Sequence, residues 1–202
     1  MFPNLSEDLR RYGGPWDQFK ALLLAPRVWA LVAYRFRRWA YTSQLPSILR
    51  LPLGAGGRLL AGFVEAVTHI ELPPQALIGP GLFFPHPGYV IVASNASIGR
   101  HCTLTQGVTI GHRAGGRESS MTSPVIGNRV YIGPGAAILG PVEIGDDVLI
   151  GANAVVVNSV SVRAVVVGNP AQVISERGSF DLISYPSMGQ DVERRAALNE
   201  AR

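Results

Sequence analysis

Four histidines and one cysteine are the side chains of this 202-residue chain best suited to proton transfer or nucleophilic attack near neutral pH: His69, His86, His101, His112 and Cys102. Imidazole exchanges a proton in that range, so a positioned histidine can act as a general base. His86 sits in the run FFPHPGYVI, flanked by Pro85 and Pro87. It reads either as a turn residue or as a base held at a corner. Cys102 is the rival, as the nucleophile of a covalent acyl-enzyme. Choosing between them requires knowing where the chain places each one.

From Ile78 onward, aliphatic or aromatic residues recur every six positions: Ile78 and Phe84, then Val92, Ile98, Leu104 and Ile110. After a gap they resume at Ile126, Ile132, Ile138, Ile144, Ile150, Val156 and Val162. A period of six suits neither a helix nor a long strand. It suits short straight segments joined by tight corners, three to a coil, as in a hexapeptide β-helix. Glycine follows the aliphatic residue at Gly79, Gly99, Gly111, Gly127, Gly133, Gly145 and Gly151, which suits corners that call for positive φ. The aliphatic residues are expected to point into the prism and stack, Ile126 over Ile144 over Val162, because one coil cannot bury its own inner face. Cys102 falls four residues after Ile98, where such repeats prefer a small side chain, and so reads as structural. The phase breaks twice, at FPHPGYVI and around HRAGGRESSMTSP. In a regular prism those irregularities are where function is expected.

Residues 1–68 carry a helical pattern instead. One helix is expected to open near Ser6, with Glu7 and Asp8 in its first turn, and to end at Gly13, Gly14 and Pro15. Others are expected over Trp16–Leu24, Arg27–Tyr41 and Ile48–Val67. The third places Trp29, Val32, Phe36 and Trp39 at helical spacing, read as a face packed on the next region. With arginines between them, the same residues also fit a peripheral membrane contact. Residues 1–70 hold nine Lys/Arg against four Asp/Glu, and residues 71–202 hold nine against ten, so the basic excess lies at the front. No recognised nucleic-acid-binding motif accompanies it. With 47% hydrophobic and 16% charged residues the chain is a well-buried globular protein. Its best apolar run, Ala21 to Ala33, is broken by Arg27, too short and too charged for a membrane span. No secretory signal is visible, and a lone cysteine allows no intrachain disulfide, so a cytoplasmic location is expected.

The run IGPGLFFPHPGYVIVASNASIGRHCTLTQGVTIG resembles the active-site coils of the serine acetyltransferase family. It resembles even more closely that family's relatives that O-acetylate polysaccharide and other sugar acceptors. IGNRVYIGPGAAILGPVEIG, IGANAVVV and VVVGNPAQVI continue the likeness, which covers roughly residues 68–174. It implies a mainly β, left-handed parallel β-helix of hexapeptide repeats with an N-terminal α-helical region. The expected organisation is a helical region 1–68, an acyltransferase β-helix 69–174 and a C-terminal tail 175–202. The implied enzyme is an acetyl-CoA-dependent O-acetyltransferase working as a homotrimer.

The resemblance makes His86 the general base and Glu71, fifteen residues earlier, the carboxylate that orients it. Elementary chemistry agrees, since a carboxylate on the second ring nitrogen fixes the tautomer and stabilises the imidazolium. The acetyl group would pass directly from coenzyme A to a hydroxyl. Gly111 and His112 match the corner near the thioester, and Ala152 matches a small residue against the coenzyme. Pro134 stands where the family usually has alanine, which removes one backbone donor. Gly168, in the GNP turn, matches the adenine end, and Arg163 could meet a coenzyme phosphate. Left-handed β-helix carbonic anhydrases bind zinc through histidines that include a pair five residues apart. No such pair occurs here, so no metal is expected. Serine acetyltransferases carry Arg-His-Pro in the second irregular loop, where the basic pair recognises a carboxylate. Here Thr122, Ser123 and Pro124 stand instead, with Arg113 and Arg117 as substitutes from the longer loop. The expected acceptor is therefore a sugar, polysaccharide or other neutral alcohol. A serine acetyltransferase of cysteine synthesis and a non-catalytic β-helix scaffold are the alternatives.

Overall fold

The six-residue period becomes the faces of a triangular prism. The computed structural model describes residues 2–112, 123–186, 188–192, 194 and 196. The chain begins with α1 (Phe2–Arg10), α2 (Pro15–Leu24), α3 (Pro26–Thr42) and α4 (Ser47–Thr68). The strands follow: β1 (Ile70–Glu71), β2 (Leu77–Ile78), β3 (Val90–Val92), β4 (Ser97–Ile98), β5 (Thr103–Leu104), β6 (Thr109–Gly111) and β7 (Val125–Ile126). The rest are β8 (Tyr131–Ile132), β9 (Ala137–Leu139), β10 (Glu143–Ile144), β11 (Leu149–Ile150), β12 (Val155–Val156), β13 (Val165–Val167) and β14 (Gln172–Ser175). Face A orders β1-β3-β6-β9-β12, face B β2-β4-β7-β10, and face C β5-β8-β11-β13, with β14 added antiparallel at its end. The chain visits A, B and C in turn as a left-handed parallel coil.

In-register pairing stacks like on like. Ile78 lies beside Ile98, Ile98 beside Ile126, and Ile126 beside Ile144, all buried. Twelve of the thirteen six-fold positions point inward as expected. Val162 does not: it is 56% exposed, and Val160, 8% exposed, bridges Ile144 in its place. The chain reaches face B two residues early in the last coil. Ser159 marks the shortened turn, its hydroxyl accepting the Glu143 N–H at 3.0 Å. At the corner leaving face B the backbone of successive coils nearly touches. A Cβ on Gly99 would lie 2.5 Å from the Gly127 carbonyl oxygen, so glycine is required there by packing and not by φ.

The helices meet the prism through polar groups. Asp8 is not in the first turn of a helix opening near Ser6; α1 already runs from Phe2, and Asp8 is fully buried within it. Its carboxylate accepts from Arg35 Nε at 2.8 Å, from Arg35 Nη2 at 2.9 Å and from the Leu82 N–H at 2.9 Å. Arg35 also donates to the Ile78 and Gly79 carbonyls. The face of α3 turned to the prism holds Val28, Leu31, Tyr34 and Arg35. The Trp29, Val32, Phe36, Trp39 stripe is instead its half-exposed side. Trp29 donates its indole N–H to Leu22 of α2, and the Phe36 ring lies against Gly57 of α4. Trp29 and Phe36 thus join helix to helix, while Trp39 borders a cavity shared with Leu77 and Ile98 of the prism; the carbonyls at the prism end are taken by Arg35 and Tyr34.

Candidate functional site

Three edges separate the three faces, and they differ in what covers them. The edge from B to C carries a column of residues in left-handed backbone conformation: His101, Arg129, Asp147 and Arg163, with φ of 57°, 56°, 58° and 62°. The chain's own ends cover it. Arg11 reaches in from α1's end and donates to the Gly81, His101 and Cys102 carbonyls at 3.0, 3.1 and 2.8 Å. Burial lowers this guanidinium to about 10. From the C-terminal segment, the Tyr185 ring stacks on His101 with centroids 3.9 Å apart. Ser179 donates its hydroxyl to the Arg129 carbonyl, and Arg194 donates to the Phe180 and Ile183 carbonyls. The segment that carries Ser179 and Tyr185 is therefore docked on the prism, which no sequence periodicity signalled.

The edge from C to A is open. His86 stands on its first loop, exposed, between the Phe83 bridge to Thr103 and β3. The loop is pinned from both sides. Phe84 is fully buried beneath it, with the Tyr12 hydroxyl against its backbone. The ring of Tyr89 (φ 44°) lies tilted against His69, with centroids 4.6 Å apart. Below His86, successive coils present Gly107, Pro134 with Gly135, Ala152 with Asn153, and Gly168; Gly107 and Pro134 are half-buried and the other four exposed. Positive φ at Gly107 and Gly135 keeps this edge flat, and a Cβ on Gly135 would lie 2.2 Å from Asn153 Oδ1. A long, narrow ligand could run down such an edge from His86 without meeting a bulky side chain.

Glu71 lies on face A, paired in register with Ile91, five residues beyond His86. Both side chains are exposed, and among the described residues neither makes a side-chain hydrogen bond or ion pair. The structure thus places the carboxylate and the imidazole in adjacent coils without joining them. Gly111 and His112 occupy a different edge, from A to B. There His112 Nδ1 is 3.4 Å from the Ser123 hydroxyl, which donates to Asn95 Oδ1. This polar group closes the base of the second irregular loop. Thr122, Arg113 and Arg117 lie outside the described residues. Of the residues expected along a coenzyme, Pro134, Ala152 and Gly168 share the edge of His86, Gly111 and His112 line the next, and Arg163 falls on the covered third.

Cys102 is fully buried, with its thiol pushed up to about 12 by burial and donating to the Gly127 carbonyl. A thiol so held is not a nucleophile at neutral pH. Among the described residues no group of three or more His, Cys, Asp or Glu side chains could hold a metal ion, and no helix is long and apolar enough to cross a membrane.

Residues 123–158 match the family model "Bacterial transferase hexapeptide (six repeats)". The chain is 37% identical to a serine acetyltransferase of Synechococcus elongatus over 88% of its own length and 70% of the relative's. It is 35% identical to one of Helicobacter pylori over 79% and 88%. Among solved structures it superposes on soybean serine acetyltransferase with a TM-score of 0.71 at 30% identity, covering 85% of this chain and 68% of that one. It superposes on the Brucella abortus serine acetyltransferase in complex with coenzyme A with a TM-score of 0.74 at 25% identity, covering 88% and 68%. These matches correct the expectation of a sugar or polysaccharide acceptor, since the relatives found at this identity are serine acetyltransferases. Thr122 and Ser123 are two altered positions within a likeness that covers 88% of the chain. In a long loop, charge lost at one position can be supplied from another.

Proposed function

Because the chain belongs to the serine acetyltransferase family of hexapeptide-repeat acyltransferases, we propose that it transfers the acetyl group of acetyl-CoA to the hydroxyl of L-serine. The open edge descending from His86 carries this reading, as it offers a coenzyme-length path of small residues that begins at a candidate base. Bound along that edge, acetyl-CoA supplies a thioester activated for transfer. His86 takes the proton from the serine hydroxyl as the oxygen attacks, and returns it to the departing sulfur. Glu71, not joined to His86 in the free chain, takes up the second ring nitrogen in the substrate complex and stabilises the imidazolium. Three copies assemble, so that the edge bearing His86 meets a neighbour's edge bearing Gly111 and His112. The enzyme works in the cytoplasm and without a metal.

Turnover with acetyl-CoA and L-serine tests this directly. His86→Ala should lower it by about 100- to 10,000-fold while leaving coenzyme binding close to normal. Glu71→Gln should lower it less. Cys102→Ala should leave it nearly unchanged. A wild-type protein that binds acetyl-CoA but leaves L-serine untouched would overturn the acceptor, and a dead but folded Cys102→Ala would overturn direct transfer.

A further inference from the structure

Helix α4 carries an apolar stripe that no other part of the described chain covers. Ile48, Leu51, Leu59, Leu60, Phe63 and Val67 are 82, 80, 79, 45, 62 and 45% exposed. They lie opposite the buried Gly57, Ala61, Val64 and Thr68. Between 59 and 67 every exposed residue is apolar: Leu59, Leu60, Gly62, Phe63, Ala66 and Val67. A helix resting on a domain normally turns charged and polar residues outward. This one is apolar on both sides, yet among the described residues no helix is long and apolar enough to cross a membrane.

Beside the stripe, α3 and α4 enclose a groove of about 600 Å³ lined by Tyr41, Leu51, Leu53 and Gly54, with the guanidinium groups of Arg37 and Arg58 among them. Arg58 is exposed, and Arg37 is 3.5 Å from Glu65. The region as a whole is basic, nine Lys/Arg to four Asp/Glu over residues 1–70. We infer that α4 lies flat in the surface of an anionic lipid membrane, with its stripe among the acyl chains and Arg37 and Arg58 at the headgroup phosphates. At 22 residues the helix would cover about 33 Å of that surface. A helix whose outward face is apolar and is flanked by arginines of α3 and α4 has the chemistry of an interfacial element. A second copy of this chain fits less well, because two-fold pairing of the stripe would bring like basic groups together. The inference is independent of the acceptor.

The test is sedimentation of the full chain with vesicles of phosphatidylcholine alone or mixed in equal parts with phosphatidylglycerol, with its mass followed by light scattering. Binding is expected to the mixed vesicles only and to weaken as salt is raised. Arg58→Gln should lower the partition coefficient about fivefold, one basic residue near an anionic surface being worth ~1 kcal/mol. The double change Leu59→Glu, Phe63→Glu should abolish binding while acetyl-CoA binding persists, since both side chains are exposed. No sedimentation with the mixed vesicles would overturn the inference. So would a double variant whose mass falls in light scattering, which would assign the stripe to a second copy.

Discussion

In the prism, Ile78, Ile98, Ile126 and Ile144 repeat one contact coil after coil, whereas the helices are fastened to it at a few buried polar groups. Asp8 and Arg35 alone account for five hydrogen bonds across that junction or within it. Burial raises the Asp8 carboxyl above its usual range, and Arg35 with the Leu82 N–H offsets part of this. Repetition spreads stability over equivalent contacts, so each loss is shared with neighbours. A single buried ion pair concentrates it, and removing one partner strands the other in a medium that cannot solvate it.

The largest effect should therefore come from the junction. Asp8→Ala leaves Arg35 buried without its carboxylate and should cost about 3–5 kcal/mol. Chemical denaturation followed by tryptophan fluorescence, which reports only Trp16, Trp29 and Trp39, should show the helical region melting before the prism. A single coincident transition by fluorescence and circular dichroism would break the comparison. Ile132→Ala should cost about 2–5 kcal/mol. Ile132 is fully buried between Leu104 and Ile150, so the loss should appear in the transition of the prism and leave the earlier one in place.

The smallest effect concerns the covered edge. His101 is lowered from 6.5 to about 4, by burial first and then by Arg11 and Arg100. The unfolded or undocked chain binds that proton more readily, so docking of the C-terminal segment is favoured above pH 6.5 and weakens as pH falls toward 4. Asp191 acts in the same direction. Burial pushes its carboxyl up, but the Tyr185 hydroxyl, the Arg194 N–H and Arg129 together hold it low, and its contribution is lost as it protonates. Limited proteolysis between Ser179 and Arg194 should speed up across pH 6.5 to 4 in the wild type. His101→Asn, which removes the titrating ring and tolerates positive φ, should flatten the response between those values. An unchanged profile would remove His101 from the account.

The prism was legible because its signal is local and repeated. A six-residue period needs only the chain's neighbours to be read, and it placed Phe84 and Ile98 through Val156 on the inside. Val162 escaped it because two residues were dropped from the last coil, and no residue near Asn158 announces the loss. His86 was legible as a break in phase, and Cys102 as a small inward position. The helices were readable as helices, but not in which face they bury. Arg35 looks like a surface residue until the carbonyls of Ile78 and Gly79 are seen beneath it.

By itself, the amino-acid sequence determined the coil, its period and its two irregular corners. Only the tertiary structure decided which edge stays open. That choice depends on Arg11 meeting Cys102 and on Tyr185 meeting His101, contacts 91 and 84 residues apart in the chain. Such contacts leave no periodic trace, because each is made once, between groups whose partners are fixed by how the two chain ends return to the prism.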